Sequence, residues 1–275
     1  KCGNPSDYNS YWNEINCVFC PNLIHLHGTE SSHGLSLLEA IKKIPIVVSI
    51  QGLVSQISSF YAYGMTPFDI WSNITLRDII HDLVRRRAMC GTIMRRKKGF
   101  KLAGEQEIRL LKCAKAVIGR TKWDKANVFA INPNLRYFFC NEMLRKEFYS
   151  GKWNYDKCKR HTIFLSQASF PYKGFHMLIK ALPIIQRDFP DVRVIIAGTS
   201  VLGHNGLKRK MLRTGYSKYI EGLIRKLGIS KDTFVFTGPL NAEQMKDQYL
   251  KCNVFVSPSS IENSPNSVCE AQMLG

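Results

Sequence analysis

Strand-sized apolar runs alternate with helical segments four times between residues 161 and 274. Each run is followed by a longer segment whose apolar residues recur at helical spacing. Strand–helix units in succession favour a parallel sheet that helices cover on both faces. The predicted strands are 161–166, 192–197, 233–237 and 254–257, and the predicted helices are 174–188, 220–227, 242–250 and a closing helix that begins near residue 265.

The first half of the chain shows the same alternation less regularly. Strands are predicted at 23–29, 44–50, 114–119 and 128–131, with helices at 36–43 and over most of 76–112. Residues 1–22 are predicted as loop, and residues 150–160 as a linker without periodicity. A chain of 275 residues is long enough for two domains. We therefore expect an α/β protein whose domains are 1–152 and 153–275, each with a parallel sheet flanked by helices.

The formal net charge is +18, which suits nucleic acid, an anionic membrane surface or small anionic substrates. The densest basic cluster lies in segment 85–101, beside the apolar residues of a predicted helix. This pattern is typical of a membrane-surface segment, and a solvated helix face is the alternative. The chain shows neither a nucleic-acid-binding module nor interleaved stacking aromatics, so we expect no nucleic-acid partner. No apolar run approaches the roughly 18–20 residues of a membrane-spanning helix.

Nine cysteines are scattered without the spacing of a disulfide framework, and several sit inside apolar runs. A free thiol there behaves as a small hydrophobe, which indicates a reducing, cytoplasmic compartment. Cys17 and Cys20, with His25 and His27 close by, could form a zinc site. The sequence has no second such cysteine pair, so buried structural cysteines are the favoured explanation.

Ligands of open parallel sheets bind outside the carboxyl ends of the strands. Gln167 and the Lys173-Gly174 pair follow the first strand of the second half, and segment 238–240 follows the third. The loop 257–265 follows the fourth strand and leads into the closing helix. The Lys173 cation and the free backbone N–H groups of Asn266 and Ser267 at the start of that helix would form a diphosphate site.

Two carboxylates, Glu262 and Glu270, flank this polar turn. Placed on one helix they would be roughly 12 Å apart along its axis, too far for the paired carboxylates of a glycosidase. We therefore place Glu262 in the loop near a reacting sugar and Glu270 in the helix, where it accepts hydrogen bonds from ribose hydroxyls. A surface helical carboxylate is the alternative for Glu270. Ser264 is the predicted N-cap, and Pro265 the first helical residue.

The segment E-N-S-P-N-S-V-C-E (262–270) resembles the E-x₇-E motif of retaining glycosyltransferases of family 4, which have the GT-B fold. The segments F-P-Y-K-G-F-H-M-L-I-K-A-L, V-R-V-I-I-A-G and T-F-V-F-T-G-P-L resemble successive units of that family's donor domain. Val117–Asp124 and Leu144–Tyr149 resemble the acceptor domain of a bacterial polysaccharide-type branch. The resemblance covers most of the chain from about residue 23.

The resemblance implies that a nucleotide-diphosphate sugar binds between two Rossmann-like domains that face each other across a cleft. Its sugar would lie by Glu262, its ribose by Glu270 and its diphosphate by Lys173. The backbone of Asn263, Ser264, Asn266 and Ser267 would contact the donor, and Gly238 to Leu240 would border the base. Transfer would retain the anomeric configuration, with the leaving phosphate taking the acceptor's proton.

The same resemblance implies no metal and no cofactor beyond the donor. It implies a glycan or lipid-linked acceptor, a role in cell-surface polysaccharide synthesis, and work at the inner face of the cell membrane.

Three positions depart from the family pattern. Gln167 replaces an arginine that shares the diphosphate charge, and Gln51 replaces a histidine that touches the sugar. Pro265 replaces a glycine and removes one backbone donor. Arg120 is a candidate for the missing cation, and an arginine that bridges strand and helix is the alternative. His27 is a candidate cleft residue, with a structural histidine as the alternative.

The resemblance also places a glycine-rich loop and a strand before residue 1, and further strands and a crossing helix after residue 275. We therefore expect both ends to be cut. A sugar-nucleotide-binding or carbohydrate-binding remnant without catalysis is the rival hypothesis, which the two glutamines and the missing ends favour. A basic nucleic-acid-binding protein is a third.

Overall fold

The computed structural model describes residues 8–84, 91–202 and 213–275 and contains two four-stranded parallel sheets. The first sheet has the order β1-β2-β3-β4, and the second has the order β7-β6-β5-β8. The strands of the first are β1 (Ile24–His27), β2 (Ile46–Ser49), β3 (Ala116–Gly119) and β4 (Arg136–Phe139). Those of the second are β5 (Thr162–Leu165), β6 (Arg193–Ile196), β7 (Phe234–Phe236) and β8 (Val254–Phe255).

Helices connect the strands of both sheets. In the first half they are α1 (Asn9–Phe19), α2 (Ser32–Ala40), α3 (Val54–Phe60), α4 (Pro67–Ser72), α5 (Leu76–Val84), α6 (Ile93–Cys113) and α7 (Lys122–Ile131). In the second half they are α8 (Phe175–Asp188), α9 (Gly215–Lys226), α10 (Ala242–Lys251) and α11 (Asn266–Leu274). Short 3₁₀ turns occur at Lys146–Tyr149, Pro171–Lys173 and Lys231–Thr233. No described helix is both long and apolar enough to cross a bilayer.

Local sequence explains where several helices begin. The side chains of Thr66, Thr121 and Asn241 each accept a hydrogen bond from the backbone N–H three residues later. The side chain at that later position in turn accepts one from the backbone N–H of the first residue. These capping boxes satisfy backbone donors that a helix N-terminus would otherwise leave unpaired. They fix the entry of α4, α7 and α10.

The largest core cluster joins the second sheet to helices of the first half. Val54, Tyr61 and Phe100, from the α3 and α6 regions, pack with residues such as Phe175 and Ile179 of α8. A second cluster lies around the first sheet, and a third lies between β5 and the last two helices. Helices α3 and α6 therefore share apolar packing with the second half of the chain.

The predicted α/β architecture of parallel sheets flanked by helices is confirmed, and seven of the eight predicted strands coincide with observed ones. The strand predicted at 128–131 is wrong, because these residues end α7 and the fourth strand is β4. Residues predicted as N-terminal loop contain α1. The division between residues 152 and 153 stays a prediction. Phe148, before that division, packs against Phe164 and Tyr249 in the third cluster.

Candidate functional site

The loop between β8 and α11 packs against the segment that follows β5. Ser260 donates from its backbone N–H to the Tyr172 carbonyl at 2.8 Å, and its hydroxyl contacts the Phe60 carbonyl at 2.9 Å. Gly174 has φ 73°, and an added Cβ would stand 1.9 Å from the Pro258 carbonyl oxygen. A glycine is needed here because both the left-handed backbone and the close approach exclude a side chain.

This packing brings together the two residues predicted to be catalytic. Lys173 Nζ lies 2.6 Å from Glu262 Oε1, and both side chains are partly accessible, at 20% and 26%. Lys173 also lies over the Tyr172 ring, with Nζ 5.2 Å from the centroid. Burial, and secondly the Glu262 charge, raise the pKa of Tyr172 above its usual value. The result is a preformed cation–carboxylate pair at the carboxyl edge of the second sheet.

Asn263, the next residue, connects this loop to the first half of the chain. Thr121 Oγ1 donates to Asn263 Oδ1 at 2.9 Å, and Asn263 Nδ2 donates to Asp124 Oδ2 at 3.2 Å. Asp124 is fully buried and also accepts from the Tyr137 hydroxyl at 2.5 Å. Burial and this carboxylate raise the pKa of Tyr137. Asn263 therefore holds the loop that carries Glu262 against the start of α7.

The predicted N-cap of the closing helix is wrong. Helix α11 begins at Asn266 with Pro265 as its N-cap, and no side chain caps it. Ser264 has φ 51°, a left-handed conformation, and lies in a bend just before the helix. Its backbone geometry therefore forms part of the turn, and Pro265 lies outside the helix that it was predicted to start.

The start of α11 lies beside residues that follow β4. Asn266 Nδ2 contacts Glu142 Oε2 at 3.5 Å, and the Ser267 carbonyl accepts from the Tyr249 hydroxyl at 3.0 Å. A cavity of 400 Å³ lies here, lined by Ser264 from the loop, by Asn266 at the start of α11 and by Leu144 from the facing segment. Two of the predicted donor-binding residues therefore border open space.

Glu270 is only 4% exposed and its carboxylate is already occupied. Arg145 donates to Glu270 Oε1 from Nε at 3.1 Å and from Nη2 at 2.8 Å, and Tyr249 lies 3.4 Å from Oε2. Burial, together with the Glu270 charge, raises the pKa of Tyr249. Glu270 is thus a buried, paired carboxylate rather than the surface residue of the alternative hypothesis. Its contact with a ribose stays a prediction, and a donor would have to share it with Arg145.

The remaining donor-side residues lie at the ends of the other strands. Gln167 follows β5 and is exposed. The Gly238 carbonyl accepts from the Gly198 N–H at 2.9 Å, which ties together the loops after β7 and β6. Leu240 packs against the third apolar cluster. These residues share the sheet edge with Lys173, as predicted from strand order, and their contact with a donor stays a prediction.

Arg120 and Gln51 meet at the carboxyl edge of the first sheet. Arg120 is 8% exposed; its Nη2 donates to Gln51 Oε1 at 2.8 Å and pairs with Glu142. Arg120 thus joins the segments that follow β2 and β4, and the alternative predicted for it, an arginine that bridges strand and helix, does not describe this arrangement. Because Glu142 already balances its charge, Arg120 could serve a donor diphosphate only by releasing that carboxylate.

His27 ends β1 with an exposed side chain, and its ring centroid lies 4.0 Å from that of His25. Burial, and secondly the His27 charge, lower the pKa of His25. Cys17 and Cys20 are exposed free thiols near the end of α1. Within the described ranges, no three His, Cys, Asp or Glu side chains are grouped to hold a metal ion. The described residues therefore include no set of ligands for the zinc site that Cys17 and Cys20 could have formed.

Sequence reasoning missed four residues that shape the site: Tyr172, Asp124, Glu142 and Arg145. Asp124 had a local signal, because the T-K-W-D segment at 121–124 has the spacing of a capping box. Glu142 and Arg145 had none. Their partners Arg120 and Glu270 are distant in sequence, and only the fold brings them together.

Residues 146–275 match the family model described as glycosyl transferases group 1. Sucrose-phosphate synthase from Thermosynechococcus elongatus is similar in structure, with a TM-score of 0.61 and 14% identity over 96% of this chain and 57% of that one. A UDP-forming trehalose-phosphate synthase from Burkholderia xenovorans gives a TM-score of 0.58 and 9% identity over 98% and 60%. The pneumococcal O-GlcNAc transferase, solved with UDP and GlcNAc, gives 0.57 and 12% over 98% and 44%.

The chain thus spans between about two-fifths and three-fifths of these structures. No protein with a curated description matches the sequence. At such low identity the structural likeness shows the fold, which is that of the GT-B glycosyltransferases. The match of residues 146–275 to glycosyl transferases group 1, together with this fold, supports a transferase of glycosyl groups.

Proposed function

We propose that the chain transfers a sugar from a nucleotide-diphosphate sugar to a glycan or lipid-linked acceptor, with retention of configuration, as a member of family 4. The observation that carries this proposal is the Lys173–Glu262 pair, with Nζ 2.6 Å from Oε1, inside the region that matches glycosyl transferases group 1. The pneumococcal neighbour, solved with UDP and GlcNAc, supports a nucleotide sugar as the ligand class.

The two side chains have separate roles in the proposed reaction. The bond between the sugar and the diphosphate breaks, and negative charge develops on the leaving phosphate. The Lys173 ammonium stabilises that charge, and Glu262 faces the sugar. The acceptor hydroxyl attacks the anomeric carbon on the face that the phosphate leaves, and the phosphate takes its proton. No metal and no protein nucleophile takes part in this proposal.

Donor binding must rearrange the pair. In the structure Glu262 supplies the nearest negative charge to Lys173, and a diphosphate would replace it as the partner of Nζ. Glu262 then becomes free to hydrogen-bond the sugar. Asn263 keeps the loop in place during this exchange, because its contacts with Thr121 and Asp124 do not involve Lys173.

The substitution Glu262→Gln tests the assignment because it keeps the size of the side chain and removes its charge. We expect transfer and donor hydrolysis to fall by about 10²-fold or more. Glu243→Gln is the matched control, since Glu243 is an exposed carboxylate on α10 that pairs with Lys246. Equal turnover by the Glu262 and Glu243 variants would refute the catalytic role of Glu262.

A panel of nucleotide sugars, tested by thermal shift, identifies the donor. A real donor binds only the folded state and raises the Tm by mass action. The Lys173→Ala variant should lose this shift if Lys173 binds the diphosphate. No shift with any nucleotide sugar would count against the whole proposal.

A remnant that binds a sugar nucleotide without transfer is the second candidate. It is favoured by the occupied Glu270 carboxylate and by the Arg120 side chain already engaged with Gln51 and Glu142. A donor that raises the Tm but is neither hydrolysed nor transferred would support it.

We further propose a role in cell-surface polysaccharide synthesis at the cytoplasmic face of the membrane, with an anionic membrane surface bound through the basic segment 85–101. Of this segment, residues 85–90 lie outside the described residues. Arg95 pairs with Asp82 in the described part, and Lys98 and Lys101 are exposed.

A further inference from the structure

Helix α5 presents its apolar side chains outward. Leu76, Ile79, Ile80 and Leu83 follow the i, i+3, i+4, i+7 spacing of one helical face and are 65%, 46%, 48% and 76% exposed. The opposite face carries Asp78, which is 3% exposed. A surface helix of a globular protein normally shows the reverse arrangement. An apolar stripe of this kind marks a surface that contacts a partner.

Helix α4, immediately before it, adds two aromatic side chains. Phe68 and Trp71 lie one helical turn apart and are 71% and 73% exposed. The capping box at Thr66 and Asp69 holds this short helix in place, so the exposed rings do not result from a frayed end. Tryptophan is enriched where an apolar phase meets water, because its ring is amphipathic.

The apolar stripe leads into a basic one. Asp82 near the end of α5 accepts from the Thr92 backbone and hydroxyl at 3.2 and 3.0 Å, which sets the start of α6 beside it. Met94, Lys98 and Lys101 then follow at i, i+4 and i+7 on α6, and all three are exposed. The first exposed acid on that face, Glu105, comes one turn after Lys101.

The acidic side chains of this region are already engaged. Asp69 accepts from the Thr66 N–H at 2.8 Å. Asp78 is buried and bound to backbone N–H groups, and Asp82 pairs with Arg95. Asp82 is thereby balanced by Arg95, and the exposed Lys98 and Lys101 add positive charge to the described part of this surface. An apolar face beside exposed lysines is complementary to a bilayer with anionic headgroups.

We propose that α4, α5 and the first turns of α6 form a docking surface for an anionic lipid bilayer. The side chains of Phe68, Trp71, Leu76, Ile80 and Leu83 enter the headgroup region, while Lys98 and Lys101 contact lipid phosphates. The inference deepens the membrane partner proposed above and adds an apolar contact to it. It rests on that partner and is independent of glycosyl transfer.

Flotation of the full chain with lipid vesicles tests the surface. We expect binding to vesicles of equal parts phosphatidylcholine and phosphatidylglycerol, and at least about tenfold weaker binding to phosphatidylcholine alone. Binding should weaken as salt is added. No binding to either vesicle would overturn the proposal.

The triple substitution Leu76→Gln, Ile80→Gln, Leu83→Gln removes three of the four side chains of the apolar stripe and keeps good helix formers. Partition to the anionic vesicles should weaken by at least about tenfold. The control is Val18→Gln, Phe19→Gln, because these α1 residues are each 74% exposed. Unchanged binding by the triple variant would overturn the inference. The inference would also be overturned if the parent chain did not bind vesicles and the triple variant differed from it in oligomeric state. A second copy of the chain would then cover this face.

The double variant Lys98→Gln, Lys101→Gln tests the positive charge of the proposed surface. Its control is the double variant Lys157→Gln, Lys159→Gln, which removes the same charge from an exposed segment before β5. The first pair should weaken binding to anionic vesicles about tenfold or more and the second much less. Equal losses would show attraction by net charge alone and would overturn the assigned surface.

Trp71 reports insertion directly. Brominated lipid should quench part of the tryptophan emission of the bound chain, and Trp71→Phe should abolish that part. Equal quenching in the Trp71→Phe variant would overturn the assigned orientation. Donor turnover by these variants in solution should equal that of the parent chain, which separates a failure of membrane docking from a failure of the proposed transferase activity.

Discussion

Asp78 joins α5 to α9, and removing its carboxylate should destabilise the protein strongly. Asp78 Oδ2 accepts from the Gly215 N–H at 2.8 Å, from the Thr75 hydroxyl at 2.8 Å and from the Thr75 N–H at 3.2 Å. One buried carboxylate thus serves the N-termini of two helices from different halves of the chain. It satisfies backbone donors and interacts favourably with both helix dipoles.

The size of the expected loss of stability follows from the environment of each hydrogen-bond donor. Gly215 is buried, so its N–H would lose a charge-assisted hydrogen bond worth about 1.5–3 kcal/mol without gaining water. Thr75 is half-buried, and the loss of its cap costs about 1 kcal/mol. We therefore expect Asp78→Ala to lower the free energy of unfolding by about 2.5–4 kcal/mol. Asp78→Asn keeps one acceptor and should cost about half as much.

Guanidinium unfolding, followed by tryptophan fluorescence and by circular dichroism, measures this change. Asp69→Ala is the control, because Asp69 belongs to a solvent-exposed capping box on α4 and its removal should cost about 1 kcal/mol. Hydrogen exchange should show faster opening of α5 and α9 in the Asp78 variant. If Asp78→Ala costs no more than Asp69→Ala, the carboxylate does not join the two helices.

Three further predictions concern single positions. Gly174→Ala should lower the free energy of unfolding by about 2–4 kcal/mol, since the added Cβ would clash with Pro258. The control Gly228→Ala, at φ 68° in open space, should cost only about 1 kcal/mol, and equal costs would exclude the clash. Burial lowers the pKa of His176, so the folded state resists its protonation, and stability should fall as pH drops below about 6.5; His176→Gln should remove that part of the pH dependence of unfolding. Asn263→Asp would place a second carboxylate beside that of Asp124 and should lower the free energy of unfolding by about 2 kcal/mol more than Asn263→Ala does. The denaturation midpoint measures this difference.

The strands and helices of the fold were largely predictable from the sequence because strand and helix periodicity are local properties. The second half is the clearest case, where β5 to β8 fall inside the predicted runs. The strand predicted at 128–131 was wrong because a short apolar run suits either structure. The Thr121 capping box starts a helix that continues through those residues. The amphipathic pattern of α1 was missed in a polar segment.

The site was predictable to the level of which residues share a sheet edge. Lys173 and Glu262 follow parallel strands of one sheet, and the structure places them 2.6 Å apart. The contacts of Glu270 and Arg120 were not predictable, because Arg145 and Glu142 lie far from them along the chain or on another element. Whether these pairs open for a donor depends on free energies that no motif encodes.

The apolar cluster that joins α3 and α6 to the second sheet has a consequence for folding during synthesis. Tyr61 and Phe100 leave the ribosome well before Phe175 and Ile179, against which they pack. Contacts of such long sequence separation form late, and until then the aromatic side chains stay uncovered. A chain arrested near residue 150 should therefore bind chaperones through the α3–α6 region, and release should follow once β5 and α8 have emerged.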